Sequence, residues 1–191
     1  MEQNELYPIF LKVSQLNVLI VGGGNVALEK LSFLLKSSPN ANVLIVSKEF
    51  DDKVVGLAKK HNVSTVNSAY TQLAIKNKHL VIAATNNKLV NKEIYKDAKE
   101  QNILVNVADT PELCDFYLGG IVTKGNIKIA ISTNGKSPTL AKRLRQFFEE
   151  VIPDDINELA ESLNLYGKTI KDNFSKKVFQ LNKLTKTLLA K

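Results

Sequence analysis

The sequence predicts an α/β protein: a doubly wound parallel sheet, then a β-hairpin, then a helical C-terminal tail. Three observations carry that reading. Short β-branched runs alternate with longer amphipathic stretches through the first 110 residues, a glycine-rich turn follows the first run, and the alternation stops after Asp109-Thr110-Pro111. Short apolar runs bounded by polar or turn residues read as strands. Such runs stand at Asn17 to Val21, Asn42 to Val46, Val63 to Val66, Leu80 to Ala84 and Ile103 to Val107. Between them Val26 to Leu35, Lys53 to Lys60 and Leu89 to Glu100 have helical apolar spacing. Strand, helix, strand in repetition requires a parallel sheet with helices on both faces, because parallel neighbours need crossover connections. Pro8 to Val13 is either an edge strand or a lead-in.

Beyond Pro111, Ile121 to Thr123 and Ile127 to Ser132 flank Lys124-Gly125-Asn126, the composition of a hairpin turn. Ser137-Pro138 places a serine cap and a first-turn proline at the start of a helix to about Val151. Pro153-Asp154 restarts a helix, and another is expected from Asp172 to Ala190. The chain therefore divides into residues 1–112, a dinucleotide-type sheet domain, residues 113–150, a dimerisation and substrate region, and residues 151–191, a helical tail. The hairpin and three helices form too small a core for independence, so a homodimer is expected.

With 191 residues, 44% hydrophobic and 24% charged, the chain is globular and long enough for a real core. Its aliphatic runs, such as Val18 to Val21, are far too short to span a bilayer, so no membrane segment is expected. Met1-Glu2-Gln3-Asn4-Glu5 is acidic and polar where a secretion signal would be basic and then apolar, and the expected location is the cytoplasm. Cys114 has no second cysteine to pair with, and His61 and His79 fall in no ligand spacing, so no permanent metal site is expected. Cys114 reads as structural. The net charge of +7 is concentrated at the end, where Tyr166 to Lys191 holds seven lysines and one acid, Asp172. Such a segment either meets an anion or is the solvated face of a lysine-rich helix. Without arginine and with few aromatics it does not read as a nucleic-acid site.

The strongest motif is Gly22-Gly23-Gly24-Asn25-Val26-Ala27, a G-x-G-x-x-A directly after a buried strand and directly before a helix. In a Rossmann-like fold Gly22 makes the tight turn, Gly24 lets the backbone approach a pyrophosphate, and Ala27 permits close packing of helix on strand. Free N–H groups around Asn25 and Val26 would then hold phosphate. The acid expected at the end of the second strand is replaced by Ser47-Lys48-Glu49. Ser47 or Glu49 could bond ribose hydroxyls, and Lys48 could equally attract a 2′-phosphate, so this motif favours NAD over NADP only weakly. Thr85, at the end of the fourth strand, is either a nicotinamide-side contact or a helix cap. Asp109 is either a turn residue before proline or the carboxylate best placed for proton transfer. The segment from Ser132 to Pro138, with Lys136 and Ser137, is either an anion site or a capped helix start.

Taken in order, Pro8-Ile9-Phe10, Gly22-Gly23-Gly24-Asn25-Val26-Ala27 with Lys30, Ala83-Ala84-Thr85-Asn86, Asn106-Val107-Ala108-Asp109 and Ser137-Pro138-Thr139-Leu140-Ala141 resemble the precorrin-2 dehydrogenase family. That family also forms the N-terminal part of multifunctional siroheme synthases and includes bifunctional dehydrogenase/ferrochelatases. The resemblance covers roughly residues 6 to 150, and beyond that only helical character continues. It implies NAD-dependent oxidation of precorrin-2 to sirohydrochlorin, with insertion of ferrous iron as a second activity, in a homodimer. By the same resemblance Asp109 serves both reactions, and the glycine turn and Ser47-Lys48-Glu49 contact the cofactor. Asn106, Lys136 and Ser137 are the expected substrate contacts, and some of Lys124, Lys128, Lys136, Lys142, Arg143 and Arg145, which surround the hairpin and the helix after Ser137, are expected to meet the substrate's carboxylates. The methyltransferase domain fused to this unit in some relatives is expected to be supplied by another protein. The alternative is a non-catalytic NAD-sensing module; those usually carry an acid at the end of the second strand and lack the Asp109 and Ser137-Pro138 pattern.

Overall fold

The five apolar runs become five parallel strands: β1 (Asn17–Val21), β2 (Asn42–Ser47), β3 (Ser64–Asn67), β4 (Leu80–Ala83) and β5 (Leu104–Val107). A computed structural model describes residues 4–171 and 173–186. The sheet order is β3-β2-β1-β4-β5, with Val18 in register with Val43 on one side and Leu80 on the other. The direction of winding therefore reverses between β1 and β4, where ligands enter such sheets.

β1 and β4 read as unbroken apolar runs because both of their faces are covered. Val18, Ile20, Leu80 and Ile82 share one core with Ala27, Leu31 and Leu35 of α1 (Asn25–Ser37) and with Val54 and Ala58 of α2 (Asp52–Lys60). Leu19, Val21, Val81 and Ala83 face the other way, onto Ile75 and onto Ile94 and Ala98 of α3 (Lys88–Glu100). No strand forms before β1 among the described residues: a single turn of 3-10 helix, Val13–Gln15, leads in, with Val13 and Leu16 packed on the first core.

Two strands begin one residue later than the hydrophobic pattern suggests, for one reason. After α2, Asn62 takes a left-handed conformation and the Val63 N–H donates to the Ala58 carbonyl at 2.9 Å; after α3, Asn102 and the Ile103 N–H repeat this on Ala98 at 2.9 Å. These are Schellman caps with asparagine at the left-handed position. Val63 and Ile103 serve the helix end first, and pairing starts at the next residue.

The open edge of β5 is closed by the segment that follows it. The Asp115 N–H donates to the Val105 carbonyl at 2.8 Å, and the Asp115 carboxylate accepts the Val105 N–H at 3.0 Å and Lys99 Nζ at 2.7 Å. An edge dressed this way does not template further strands.

The second unit begins with the antiparallel hairpin of β6 (Gly120–Lys124) and β7 (Ile127–Ile131), followed by α4 (Pro138–Val151), α5 (Ile156–Thr169) and α6 (Phe174–Thr185). Gly125 turns the hairpin at φ +56°, where an added Cβ would stand 2.2 Å from the Asn157 side chain. Asn157 in turn accepts the Asn126 N–H at 2.7 Å and donates to Glu161 at 2.8 Å, while Lys124 pairs with Asp154, whose carboxyl it holds below the usual range. The hairpin turn is thus latched to α5. The sequence boundaries at 112 and 150 differ from the observed division: one compact unit runs up to Gly119 and includes Ser132–Ser137, and the other holds Gly120–Ile131 and the residues from Pro138 onward. The first boundary moves because residues 113–118 belong to the edge of the sheet. The tail helix was expected from Asp172 to Ala190; Asp172 and residues 187–190 lie outside the described residues, as do Met1, Glu2, Gln3 and Lys191. Among the described residues no helix is long and apolar enough to cross a membrane.

Candidate functional site

All five strands run the same way, so the loops after β1, β2, β4 and β5 gather at one edge. The three glycines after β1 do three different jobs there. Gly22 has φ +129°, and a Cβ on it would lie 2.3 Å from the Ala84 carbonyl oxygen and 3.3 Å from Thr85 N, so the end of β4 abuts the turn. Gly23 is pressed from the opposite side. A Cβ there would lie 2.1 Å from the Glu49 carbonyl oxygen, and the Gly23 carbonyl accepts the Asp51 N–H at 2.8 Å. Gly23 therefore makes room for the loop after β2. At Gly24 nothing lies within 4 Å of an added Cβ; this glycine faces open space at the mouth of α1.

Helix α1 begins at Asn25 with Gly24 as its cap, no capping side chain and no acid in its first turn. By contrast Asp51 caps α2 through the Lys53 N–H at 2.8 Å, and Asn87 caps α3 through the Leu89 and Val90 N–H groups. The N–H groups of Asn25 and Val26 meet no capping side chain, the arrangement that receives a phosphate. Ala27 is fully buried and lets α1 lie close on β1.

At the end of β2, the Ser47 hydroxyl donates to the Glu49 carbonyl at 2.6 Å and so folds the loop against Gly23. Lys48 and Glu49 are the exposed charges here. At the end of β4, the cap of α3 is Asn87 and not Thr85, which corrects one of the two readings of Thr85. Thr85 is held instead by Asn91, a buried side chain that the sequence reading missed. Its one signal was an amide at the helical spacing of the buried positions Asn91, Ile94 and Ala98.

At the end of β5, Asp109 is exposed and left-handed, with φ +58°. The other non-glycine residues with positive φ are Asn62, Asn77, Asn102 and Asn134. Among the described residues asparagine fills this conformation wherever a side chain other than that of Asp109 does, so the turn alone does not call for an acid. The Asp109 carboxylate makes no hydrogen bond or ion pair among the described residues. Asn106 is buried, and its Nδ2 donates to the Phe116 carbonyl at 2.8 Å and to Cys114 Sγ at 3.4 Å, which leaves only its Oδ1 for a substrate. Cys114 exchanges hydrogen bonds with the Val107 backbone at 3.3 Å, and burial pushes its thiol up; it is structural, as its sequence setting indicates.

In the segment Ser132–Ser137, the Thr133 hydroxyl accepts the Ser137 N–H at 3.2 Å and donates to the Ser137 carbonyl at 3.1 Å, closing a loop that exposes Lys136. Of the basic residues expected to meet carboxylates, Arg145 is engaged by Glu149 at 2.5 Å and Lys124 by Asp154, while Arg143 donates to Gln146 at 3.1 Å.

A sheet of this order with an open glycine cradle and an uncapped helix start at its switch point defines a dinucleotide-binding domain. The chain belongs to the NAD(P)-binding family whose model matches residues 9–120. A second model, described as sirohaem biosynthesis protein central, matches residues 124–150. The siroheme synthase of Pseudoalteromonas translucida is 39% identical over 167 residues, 87% of this chain and 35% of that protein. The siroheme synthase of Ruthia magnifica is 36% identical over 168 residues, 88% of this chain and 35% of that protein. This chain thus spans about a third of the length of the curated relatives it matches. Among solved structures, SirC, a precorrin-2 dehydrogenase, has a TM-score of 0.77 at 21% identity, covering 94% of this chain and 89% of that one, and shares the fold. The residues present fit the dinucleotide that the family implies: the open space at Gly24 would be the cradle, and Asn25 and Val26 would supply the donors.

Proposed function

We propose that this chain catalyses the NAD-dependent oxidation of precorrin-2 to sirohydrochlorin, and that the same edge serves insertion of ferrous iron into that product. The observation that carries the reading is Asp109, an unpaired carboxylate held in a left-handed turn at the same sheet edge as the glycine cradle. The likeness to siroheme synthases supports the choice of substrate.

When bound, NAD supplies a two-electron acceptor for a hydride from the macrocycle. The chain's own part is to bind, orient and take up a proton. Gly24 admits the pyrophosphate, and the Asn25 and Val26 N–H groups hold it with the α1 dipole behind them. Gly22 fixes the turn of the cradle against β4. Loss of a hydride leaves the substrate cationic, and Asp109 accepts the one proton that must follow. Iron insertion releases two pyrrole protons as the ferrous ion, here a substrate, enters; Asp109 takes one at a time and returns it to water. Exposed Lys136 and the Asn106 Oδ1 are the substrate contacts on this unit, beside Ser137. The protein works as a cytoplasmic homodimer in this reading, with Lys48 and Glu49 flanking the adenosine ribose.

The test is anaerobic incubation of the protein with precorrin-2 and NAD, following NADH and sirohydrochlorin together. Equal amounts of both are expected. NADH binding without turnover would instead make the chain a nucleotide sensor.

A further inference from the structure

Asn91 lies on α3, is 6% exposed, and reaches back to a single residue. Its Nδ2 donates to the Thr85 carbonyl at 3.0 Å, and its Oδ1 accepts both the Thr85 hydroxyl at 2.6 Å and, more loosely, the Thr85 N–H at 3.3 Å. A buried asparagine in the apolar stripe of a helix costs stability unless its polar atoms are paired, and here the amide nitrogen and the amide oxygen are both bonded to one partner. Thr85 itself abuts the glycine turn through its backbone nitrogen.

The clamp decides what the Thr85 hydroxyl can do. A hydroxyl has one hydrogen and two lone pairs. The hydrogen is taken by Asn91 in the shortest of its contacts, the Asn87 carbonyl being farther at 3.1 Å. One lone pair accepts the Asn87 N–H at 3.2 Å. What remains is a lone pair, with no hydrogen left to give.

We propose that Asn91 is a positioning residue that fixes Thr85 as a hydrogen-bond acceptor at the crevice, so that the part of a dinucleotide meeting Thr85 must be a donor: the nicotinamide carboxamide or a hydroxyl of the ribose next to it. This rests on the cofactor reading above and adds to it the polarity of one contact. A Thr85 that only built the loop would be indifferent to what the ligand carries.

The experiment is a double-mutant cycle read by NADH binding, with thermal unfolding of each variant recorded alongside. Thr85→Val keeps the side-chain shape and removes the acceptor; Asn91→Ala removes the clamp. Each alone is expected to weaken NADH binding about tenfold. Together they should weaken it by about the same tenfold and not a hundredfold, because Asn91 acts through Thr85. Thr85→Ser, which keeps the hydroxyl, should stay within about twofold of the native protein. Asn91→Leu, of similar volume, replaces the alanine variant if that one does not fold. The same cycle with nicotinic acid adenine dinucleotide, whose carboxylate cannot donate, separates the two sources. The Thr85→Val effect disappears with it if the donor is the carboxamide and persists if the donor is a ribose hydroxyl. Unchanged NADH binding in Thr85→Val, or multiplied losses in the double variant, overturns the proposal. Failure of the native chain to bind NADH at all overturns the cofactor reading itself, and this inference with it.

Discussion

The sheet unit and the hairpin-helix unit solve the problem of stability differently. In the first, both faces of β1 and β4 are buried and side chains such as Leu19, Ile20, Leu31 and Ile94 are fully enclosed. In the second, Val122 and Ile131 are the buried apolar side chains among the described residues, α4 and α6 bury none, and Leu140, Phe147, Leu165, Phe174 and Phe179 stand exposed. Polar bonds add to this small core: Lys124 with Asp154 and Asn126 with Asn157 latch the hairpin turn to α5, and Arg145 pairs with Glu149 within α4. Exposed ion pairs are screened by water and contribute little, whereas burying one large apolar side chain contributes about 1.5–3 kcal/mol. The latches set geometry but do not substitute for a core. A binding edge that must be ready before its ligand arrives belongs on the first kind of unit, and in the proposed homodimer the second kind gains its missing burial from a further copy of the chain.

The largest expected effect isolates the edge from the core beneath it. Gly24→Asp fills open space with a negative charge, so NADH binding should fall by about a hundredfold or more, while the unfolding temperature barely moves because no neighbour is displaced. Normal NADH titration of that variant would remove the glycine turn from the site. The next contrast is between the cores. Leu31→Ala, in the enclosed face of α1, should cost about 2–5 kcal/mol in denaturant unfolding. Phe147→Ala, on exposed α4, should cost a single chain less than about 0.5 kcal/mol yet shift a native particle of twice 21.2 kDa toward the monomer in light scattering. A native mass of 21.2 kDa, or equal losses for the two variants in unfolding, would erase the distinction between the units.

Much of the first unit was legible because its signals are local. The alternation of β1, α1 and β2, the turn before α1 and the proline that opens α4 each depend on residues a few positions apart. The strand starts at Val63 and Ile103 were misplaced because the cap that claims them is built by Asn62 and Asn102, whose left-handed backbone no hydropathy pattern shows. Gly23 reads like a ligand contact next to Gly22 and Gly24, but its reason lies in the loop after β2, far along the chain. Asn91 was missed for a different cause: its partner Thr85 is only six residues away, in the preceding loop, but their pairing is set by how α3 lies on β4, which no spacing shows. In the second unit the elements were readable, but the first unit runs on to Gly119, with Asp115 and Phe116 tied to β5 through bonds that no spacing announces.

The central claim is that Asp109 is in its left-handed turn for chemistry. Asparagine would suit that turn as well, since it occupies the same conformation at Asn62, Asn77, Asn102 and Asn134, and it would keep the shape while removing the base. The deciding measurement is therefore the rate of NADH formation from precorrin-2 by Asp109→Asn beside the native protein, with NADH affinity and unfolding temperature recorded for both. The expected result is a folded variant that binds NADH normally, oxidises precorrin-2 at least about a hundredfold more slowly, and inserts iron into supplied sirohydrochlorin more slowly as well. Native-rate oxidation by the folded Asp109→Asn variant would contradict the account and return Asp109 to the role of a turn residue.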